Sequence, residues 1–188
     1  MIGWALFLAV IVDYALLSPN CVAGGHPQKM VTRYTTLVFD SAADLETFNR
    51  AIHFPAENTF ASFFSSGGGG SIRQELSRKV DLLFEKVQLI LDMRKRMRRV
   101  RIRLFADSEQ LQRAYKKIYG RRADVRGWYV YDFNTVFLNV SDVHEGILAH
   151  ELGHAIIDHF LAVRPPRATA EILARYVDKH LFEEVKHY

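Results

Sequence analysis

One stretch of five residues limits how this chain can fold, because it requires a helix with polar groups on one face. His150-Glu151-Leu152-Gly153-His154 places two histidines four residues apart. Residues four apart lie on the same face of an α-helix. Two imidazoles so placed can bind one zinc ion, and Glu151 then points at the open side of the metal, where a water would bind. The motif therefore predicts a helix that carries two metal ligands and a carboxylate base.

The ends of this helix are also signalled in the sequence. Asp142 and Glu145 have the spacing of a capping box, which predicts that the helix begins at Ser141-Asp142. Pro165-Pro166 ends it and forces a turn. Asp158 shares the face of the two metal-binding histidines, so we expect it to support one of them by a hydrogen bond.

A zinc site needs a third protein ligand, and Glu171 is the best placed acidic residue. His144 and His159 fall off the metal-facing side of the helix and are not expected to bind. The next helix should run from about residue 167 to residue 184, and an antiparallel return through the short turn would bring Glu171 back towards the metal. The alternative is that Glu171 only complements the helix dipole in the first turns.

Two further residues of that second helix are candidates for supporting roles. Asp178 lies seven residues after Glu171 on the same face, so it could orient a histidine by a hydrogen bond. Tyr176 is a candidate to stabilise an oxyanion, but it lies about 140° around the helix from Glu171.

The active-helix pattern resembles that of the gluzincin metallopeptidases, the thermolysin-like division of the zincins. The resemblance rests on His150-Glu151-Leu152-x-His154-Ala155-x-x-Asp158, followed by Glu171 on the next helix. The order of the remaining elements is similar to that of the smallest members, the minimal gluzincin or peptidase-MA-like domains. The resemblance implies that His150, His154 and Glu171 bind one Zn²⁺ and that Glu151 activates the water.

Two positions depart from the larger gluzincins. Those proteins often have Asn directly before the glutamate ligand and Asp four residues after it, where this chain has Ala170 and Arg175. The usual hydrogen-bond support of the histidines is therefore expected to come from elsewhere, with Asp158 or Asp178 as substitutes.

The hydrophobic periodicity of the rest of the chain predicts an α+β fold, and the resemblance to the gluzincins implies that this fold is zincin-like. We expect a small mixed or antiparallel sheet packed on a long helix, together with the metal-binding helix and a C-terminal glutamate helix. The predicted strands are residues 31–40, 100–105, 128–132 and 135–140, and the predicted helices outside the site are residues 41–52, 72–97 and 108–119.

The N-terminal residues have the pattern of a targeting segment. An apolar run at residues 4–17 is followed by small residues up to Ala23, which predicts a signal peptide over residues 1–23. The alternative is that residues 4–17 stay as a membrane anchor. Residues 24–188 then form one metallopeptidase-like domain, and the protein is secreted, periplasmic or in the cell envelope.

Two segments leave alternatives open. Residues 53–71 hold four phenylalanines and end in the glycines Gly67 to Gly70, which fits a mobile lid or a surface loop that fills a satellite of the core. The basic run from Arg94 to Arg103 fits a helix end followed by a charged strand face, or a contact with an anionic envelope surface. A net charge of +4 does not by itself indicate nucleic-acid binding.

Together these patterns predict a monomeric zinc metallopeptidase that acts on a peptide or protein. Glu151 would be the general base of the hydrolysis. The strand at residues 135–140, next to the active helix, could pair with an extended peptide. The alternative is a non-catalytic zincin-fold binding module of the cell envelope.

Overall fold

Five strands and five helices make up the described part of the chain. The computed structural model describes residues 26–54 and 71–183. The strands are β1 (Gln28–Val31), β2 (Thr35–Phe39), β3 (Val100–Phe105), β4 (Gly127–Val130) and β5 (Thr135–Asn139). The helices are α1 (Ala42–Ala51), α2 (Ile72–Ile90), α3 (Ser108–Tyr119), α4 (Glu145–Phe160) and α5 (Arg167–His180). The fold is therefore mixed α+β, as the periodicity predicts.

The strands form one mixed sheet in the order β1-β2-β3-β5-β4. The three central strands, β2, β3 and β5, run parallel, while β1 and β4 pair antiparallel at the two edges. All five residues of β5 are buried, which suits a strand with a neighbour on each side and a helix layer on each face. The last strand in the chain thus lies inside the sheet, and β4 forms the edge beside it.

A tight turn divides the single strand predicted at residues 31–40 into two. Thr32 donates its hydroxyl to the Asp81 carboxylate at 2.7 Å, and that carboxylate also accepts from the backbone N–H groups of Arg33 and Tyr34. The prediction of one strand is wrong because a side chain 49 positions away satisfies the turn's backbone donors. Such a partner cannot be found from local alternation.

The long helix ends at Ile90 rather than at the predicted Met97. Asp92 has a φ of 51°, a left-handed conformation that stops the helix. The Gln88 side chain then donates to the carbonyl of Lys95 at 3.1 Å and holds the following segment in place. The basic run therefore begins in the connection between α2 and β3, and it does not form the last turn of a helix.

The main hydrophobic core lies between one face of the sheet and the helices α1, α2, α4 and α5. A second, smaller cluster lies on the other face, where Leu111 of α3 meets Trp128, Val130 and Phe137. Local sequence signals account for three features of the fold. Ser41 caps α1, Gly120 ends α3 with a φ of 72°, and β3 alternates buried residues with exposed or half-buried ones.

Some sequence predictions cannot be compared with this structure. Residues 1–23, with the proposed signal peptide or anchor, and Gly67 to Gly70 lie outside the described residues. Within residues 26–54 and 71–183, no helix has both the length and the apolar character needed to cross a membrane.

Candidate metal centre

The helix that carries the two histidines begins three residues later than predicted. His144 is the N-cap residue, and its Nδ1 accepts from the backbone N–H of Gly146 at 3.1 Å. Asp142 does not cap the helix, because both of its carboxylate oxygens accept from Arg126, at 2.9 and 3.0 Å. The predicted capping box is therefore wrong.

The helix α5 packs antiparallel against α4 and brings its own face to the histidines. Gly153 of α4 faces Ala174, since a Cβ placed on Gly153 would lie 3.7 Å from the Cα of Ala174. Gly146, earlier in α4, faces Asp178, which is later in α5. The two helices therefore run in opposite directions. The expected antiparallel return through Pro165-Pro166 is confirmed, although α5 ends at His180, before the predicted residue 184. Glu171 consequently lies opposite the motif.

Two imidazole nitrogens and one carboxylate converge between these two helices. The Nε2 atoms of His150 and His154 are 3.2 Å apart. Glu171 Oε1 lies 3.8 Å from the first, and Glu171 Oε2 lies 3.5 Å from the second. All three side chains are partly exposed. The group His150, His154 and Glu171 could hold a metal ion.

The spacing of these atoms fits a small divalent ion. Bonds of about 2.0–2.1 Å at a tetrahedral angle place neighbouring ligand atoms about 3.3 Å apart. The observed separations, 3.2 to 3.8 Å, lie close to that value. Burial, together with the neighbouring His150, lowers the pKa of His154, so its imidazole is neutral and keeps a lone pair for a metal.

Glu151 is buried beside this group, with 8% of its surface exposed. Burial, reinforced by repulsion from Glu171, raises its pKa to about 8, although the backbone N–H of Tyr129 donates a hydrogen bond that favours the charged form. A carboxyl in such a place holds its proton near neutral pH unless a cation is close by. This is the environment expected of a group that exchanges a proton.

Arg175 contacts the third ligand directly. Its Nε donates to Oε1 of Glu171 at 3.1 Å, one helical turn along α5. Burial alone would raise the pKa of Glu171, but the Arg175 hydrogen bond and the two imidazoles outweigh it, so the pKa lies below the usual value. Sequence reasoning noted Arg175 only as a departure from a family pattern, although the i,i+4 spacing could have indicated the pair.

The remaining predicted site residues lie elsewhere around the two helices. Asp158 is buried, and its carboxylate accepts from Arg164 at 3.0 Å rather than from a histidine. Asp178 lies at the first turn of α4, next to Gly146 and the ring of His144. Tyr176 is 47% exposed and stacks on His180. Supporting roles for these three residues stay predictions.

The peptide-pairing strand predicted at residues 135–140 is not available. β5 lies between β3 and β4, so both of its edges are already hydrogen-bonded. The neighbouring edge strand, β4, pairs on one side only within the described residues, and Tyr129 on it reaches Glu151. The backbone carbonyl of Arg126 accepts from the backbone N–H of Asn139 across the hairpin. The backbone groups of the alternate residues Gly127 and Tyr129 therefore point away from β5.

The tyrosine of that edge strand also fixes the end of α4. The Tyr129 hydroxyl and the ring of His159 are hydrogen-bonded at 3.0 Å, and the ring also bonds Oδ1 of Asn134 at 3.1 Å. His159 therefore joins α4 to the hairpin β4–β5. It does not belong to the metal-binding group, as its position off the ligand face predicts.

Comparisons of the whole chain with family models, with curated proteins and with solved structures found no match.

Proposed function

We propose that this protein is a zinc-dependent metallopeptidase in which His150, His154 and Glu171 hold the metal. The observation that carries the proposal is the convergence of two imidazole nitrogens and one carboxylate beside a second, buried carboxyl group, Glu151. The same donor set serves iron in non-haem oxygenases, but a buried carboxyl between two histidines of one helix favours a hydrolytic zinc site.

A zinc ion bound there would act as a Lewis acid and lower the pKa of a bound water to about 7. Glu151 takes a proton from the attacking water and passes it to the leaving amine. The hydrogen bond from the Tyr129 N–H holds the Glu151 carboxyl against β4. The partial exposure of the three ligands leaves room for a substrate to approach.

The free edge of β4 supports a place for the peptide. An extended substrate can add to that edge by hydrogen bonds to the backbone groups of Gly127 and to the carbonyl of Tyr129, since the Tyr129 N–H already donates to Glu151. This places its backbone beside Glu151, which already contacts the same strand. β4 thus replaces β5 as the strand proposed to bind substrate.

The test compares zinc-loaded wild-type protein with two variants on a mixed peptide library read by mass spectrometry. Glu151→Gln should keep zinc and lose cleavage by at least about 100-fold, because only the base is removed. His154→Ala should lose both the metal and the cleavage. Glu145→Gln, the same change in the first turn of the same helix, should leave both unchanged.

Elemental analysis of the purified proteins separates this proposal from its alternative. Zinc at one ion per chain with cleavage in the wild type supports the peptidase. Zinc without cleavage of any library peptide supports a non-catalytic zincin-fold module, and cleavage that persists in Glu151→Gln contradicts the proposed base.

A further inference from the structure

Within residues 26–54 and 71–183, the face of the sheet opposite the main core is covered by a helix over only part of its width. Helix α3 packs on this face against β3 and β5, where Leu111 meets Phe137 and Trp128. Over β1 and β2, at the far end of the sheet, the residues on this side are exposed or half-buried: Lys29, Val31, Thr36 and Val38. A strip of open sheet therefore runs beside α3.

Basic side chains border this open strip. In the strand register Lys29 lies opposite Val38, and Arg101 lies opposite Thr36. Since Thr36 and Val38 are two residues apart, Lys29 and Arg101 project from the same face of the sheet. Arg98 and Arg99 lie in the extended segment just before β3 and are exposed there.

These four cations line one small concavity with a volume of about 120 Å³. Thr36, Phe133 and Asn134 complete its wall, and no carboxylate lines it among the described residues. Within residues 26–54 and 71–183, none of the four basic side chains lies within 4.0 Å of an acidic group. By contrast, Arg103, two residues after Arg101 on the same face of β3, forms an ion pair with Asp40 at 2.6 Å.

The backbone around the concavity is fixed by hydrogen bonds. The Asn134 side chain donates to the carbonyl of Arg99 at 3.0 Å, and the Arg99 Nε donates to the carbonyl of Thr32 at 3.0 Å. The bond from Nε fixes the position of the Arg99 side chain, and the other N–H donors of its guanidinium group remain for a ligand. A preformed arrangement lowers the entropic cost of binding.

Four cations around one concavity repel one another, and an anion bound there would relieve that repulsion. The planar donor fork of arginine matches the oxygens of phosphate and carboxylate, and several converging forks suit a group with more than one negative charge. Asn134 at its rim also contacts His159 of α4, but none of the seven lining residues belongs to the metal-binding group His150, His154 and Glu171.

We propose that this basic concavity, lined by Lys29, Arg98, Arg99 and Arg101, is a binding site for a phosphoryl group. The group can be free in solution or carried by a lipid headgroup, since both present the same oxygens to the arginines. The inference does not depend on the proposed peptidase function. It gives a defined centre to the contact with an anionic surface that the basic run predicts.

The first arm of the test titrates inorganic pyrophosphate into the full-length protein at low ionic strength and follows backbone amide shifts by NMR. In the wild type we expect saturable shifts centred on Thr36, Arg101 and Asn134. The double variant Arg98→Gln/Arg101→Gln should weaken binding at least about tenfold, because two charge-assisted contacts are lost. Arg121→Gln/Arg122→Gln removes the same charge from exposed residues after α3 and should leave the affinity within about twofold.

The second arm distinguishes the sources of the phosphoryl group. Vesicles of phosphatidylglycerol and of phosphatidylcholine are sedimented with each protein. Binding to the anionic vesicles alone, lost in Arg98→Gln/Arg101→Gln, identifies a lipid headgroup as a source; saturable pyrophosphate binding without vesicle binding identifies a soluble phosphate. Arg98→Lys/Arg101→Lys, which keeps the charge, should recover part of the binding and excludes a folding defect as the cause.

Three results would overturn the proposal. One is the absence of saturable binding of both pyrophosphate and anionic vesicles by the wild type. Another is an equal loss of affinity in the two glutamine double variants, which would assign the effect to net charge. The third is binding of a single-stranded oligonucleotide without binding of pyrophosphate, which would assign the surface to a nucleic-acid backbone.

Discussion

The Glu151 carboxyl is buried and faces a second carboxylate, Glu171, at the centre of the site. Without a metal, this arrangement costs stability, because a buried negative charge loses its hydration and is repelled by its neighbour. A divalent ion between the two helices would offset that cost. Glu151 and Glu171 are therefore expected to lower the free energy of unfolding of the metal-free protein.

Replacing Glu151 by Gln should stabilise the metal-free protein, and more so as the pH rises. The raised pKa, about 8, means that between about pH 4.5 and pH 8 the folded wild type binds a proton that the unfolded chain does not. Wild-type stability therefore falls with rising pH across this window, by up to about 1.4 kcal/mol per pH unit. Gln does not titrate, so the gap between variant and wild type should widen up to pH 8.

Urea unfolding in the presence of a chelator, at several values between pH 5 and pH 9, measures this gap. Glu109→Gln, the same change at an exposed position of α3, serves as the control and should show no such trend. A gap for Glu151→Gln that is independent of pH would contradict the raised pKa of the buried Glu151 carboxyl.

Arg175 should help to position Glu171 for the metal. Its hydrogen bond to one carboxylate oxygen leaves the other oxygen free and restricts the rotation of the side chain. Hydrogen-bond partners of metal ligands typically contribute about 10–100-fold in metal affinity. Arg175→Ala should therefore weaken metal binding by roughly that factor, with partial recovery in Arg175→Lys.

Competition with a chromogenic chelator gives the affinity for zinc directly. The matched control is Arg113→Ala, which removes an Arg–Glu pair of the same i,i+4 spacing on α3, away from the metal centre. If both arginine variants bind zinc as the wild type does, the Arg175–Glu171 pair is only a surface ion pair of little energetic value.

At the scale of elements, the contact between α4 and α5 decides the geometry of the site. Gly153 lies between His150 and His154 in the sequence of α4 and faces Ala174 and Val177 of α5. The three small or branched residues let the helices approach closely, so that Glu171 reaches the imidazoles. The sequence alone does not show which helix Gly153 faces, because Ala174 and Val177 lie more than twenty positions away.

Gly153→Ala should stabilise the protein by up to about 1 kcal/mol, because alanine has the higher helix propensity. A Cβ at this position would lie 3.6 to 3.8 Å from its nearest neighbours, which is ordinary van der Waals contact. Gly153→Leu should instead separate α4 from α5, lower the stability and weaken zinc binding. Thermal unfolding and zinc affinity of the two variants test this; a destabilised alanine variant would contradict the contact distances.

Gly146, at the N-terminus of α4, should not tolerate alanine, unlike Gly153. A Cβ at Gly146 would lie 2.7 Å from Oδ1 of Asp178, so an added methyl group must displace that carboxylate. The His144 cap would be disturbed as well, since its ring lies 3.0 Å from the same point. The two glycines of one helix thus differ in tolerance for a reason that only the packing partner supplies.

At the scale of the whole molecule, metal binding and folding should be coupled. The ligands come from two helices that are separated by the Pro165-Pro166 turn, so an ion that binds all three holds α5 against α4. α4 also packs on α2 and on the strands β4 and β5, which connects the site to the main core.

Zinc should therefore raise the melting temperature of the protein. At a free concentration 100 times its dissociation constant, a ligand that binds only the folded state adds about 2.7 kcal/mol. For a chain of this size that corresponds to a rise of roughly 5–10 °C. Differential scanning calorimetry with zinc and with a chelator measures the rise, which should vanish in His154→Ala and persist in His159→Ala.

Much of the site could be predicted from the sequence, because its signals are local. His150 and His154 are four residues apart, about one helical turn. The proline pair and Glu171 follow them within about twenty residues, so all these signals lie close together along the chain. The structure confirms that His150, His154 and Glu171 lie together. Most helices and strands were predictable for the same reason, since periodicity is a property of neighbouring residues.

What the sequence could not give depended on partners that are distant along the chain. Asp81 divides one predicted strand into a hairpin, Arg126 removes Asp142 from the predicted cap, and β5 enters the sheet's interior between two other strands. Each outcome is a competition among hydrogen-bond partners or strand neighbours that only the folded chain brings within reach. The sequence by itself determined the helix that carries the histidines and the ligand that follows it. The tertiary structure decided that Glu151 is buried against β4, that Arg175 holds the third ligand, and that β4 rather than β5 is the free edge, because burial and pairing depend on which elements meet.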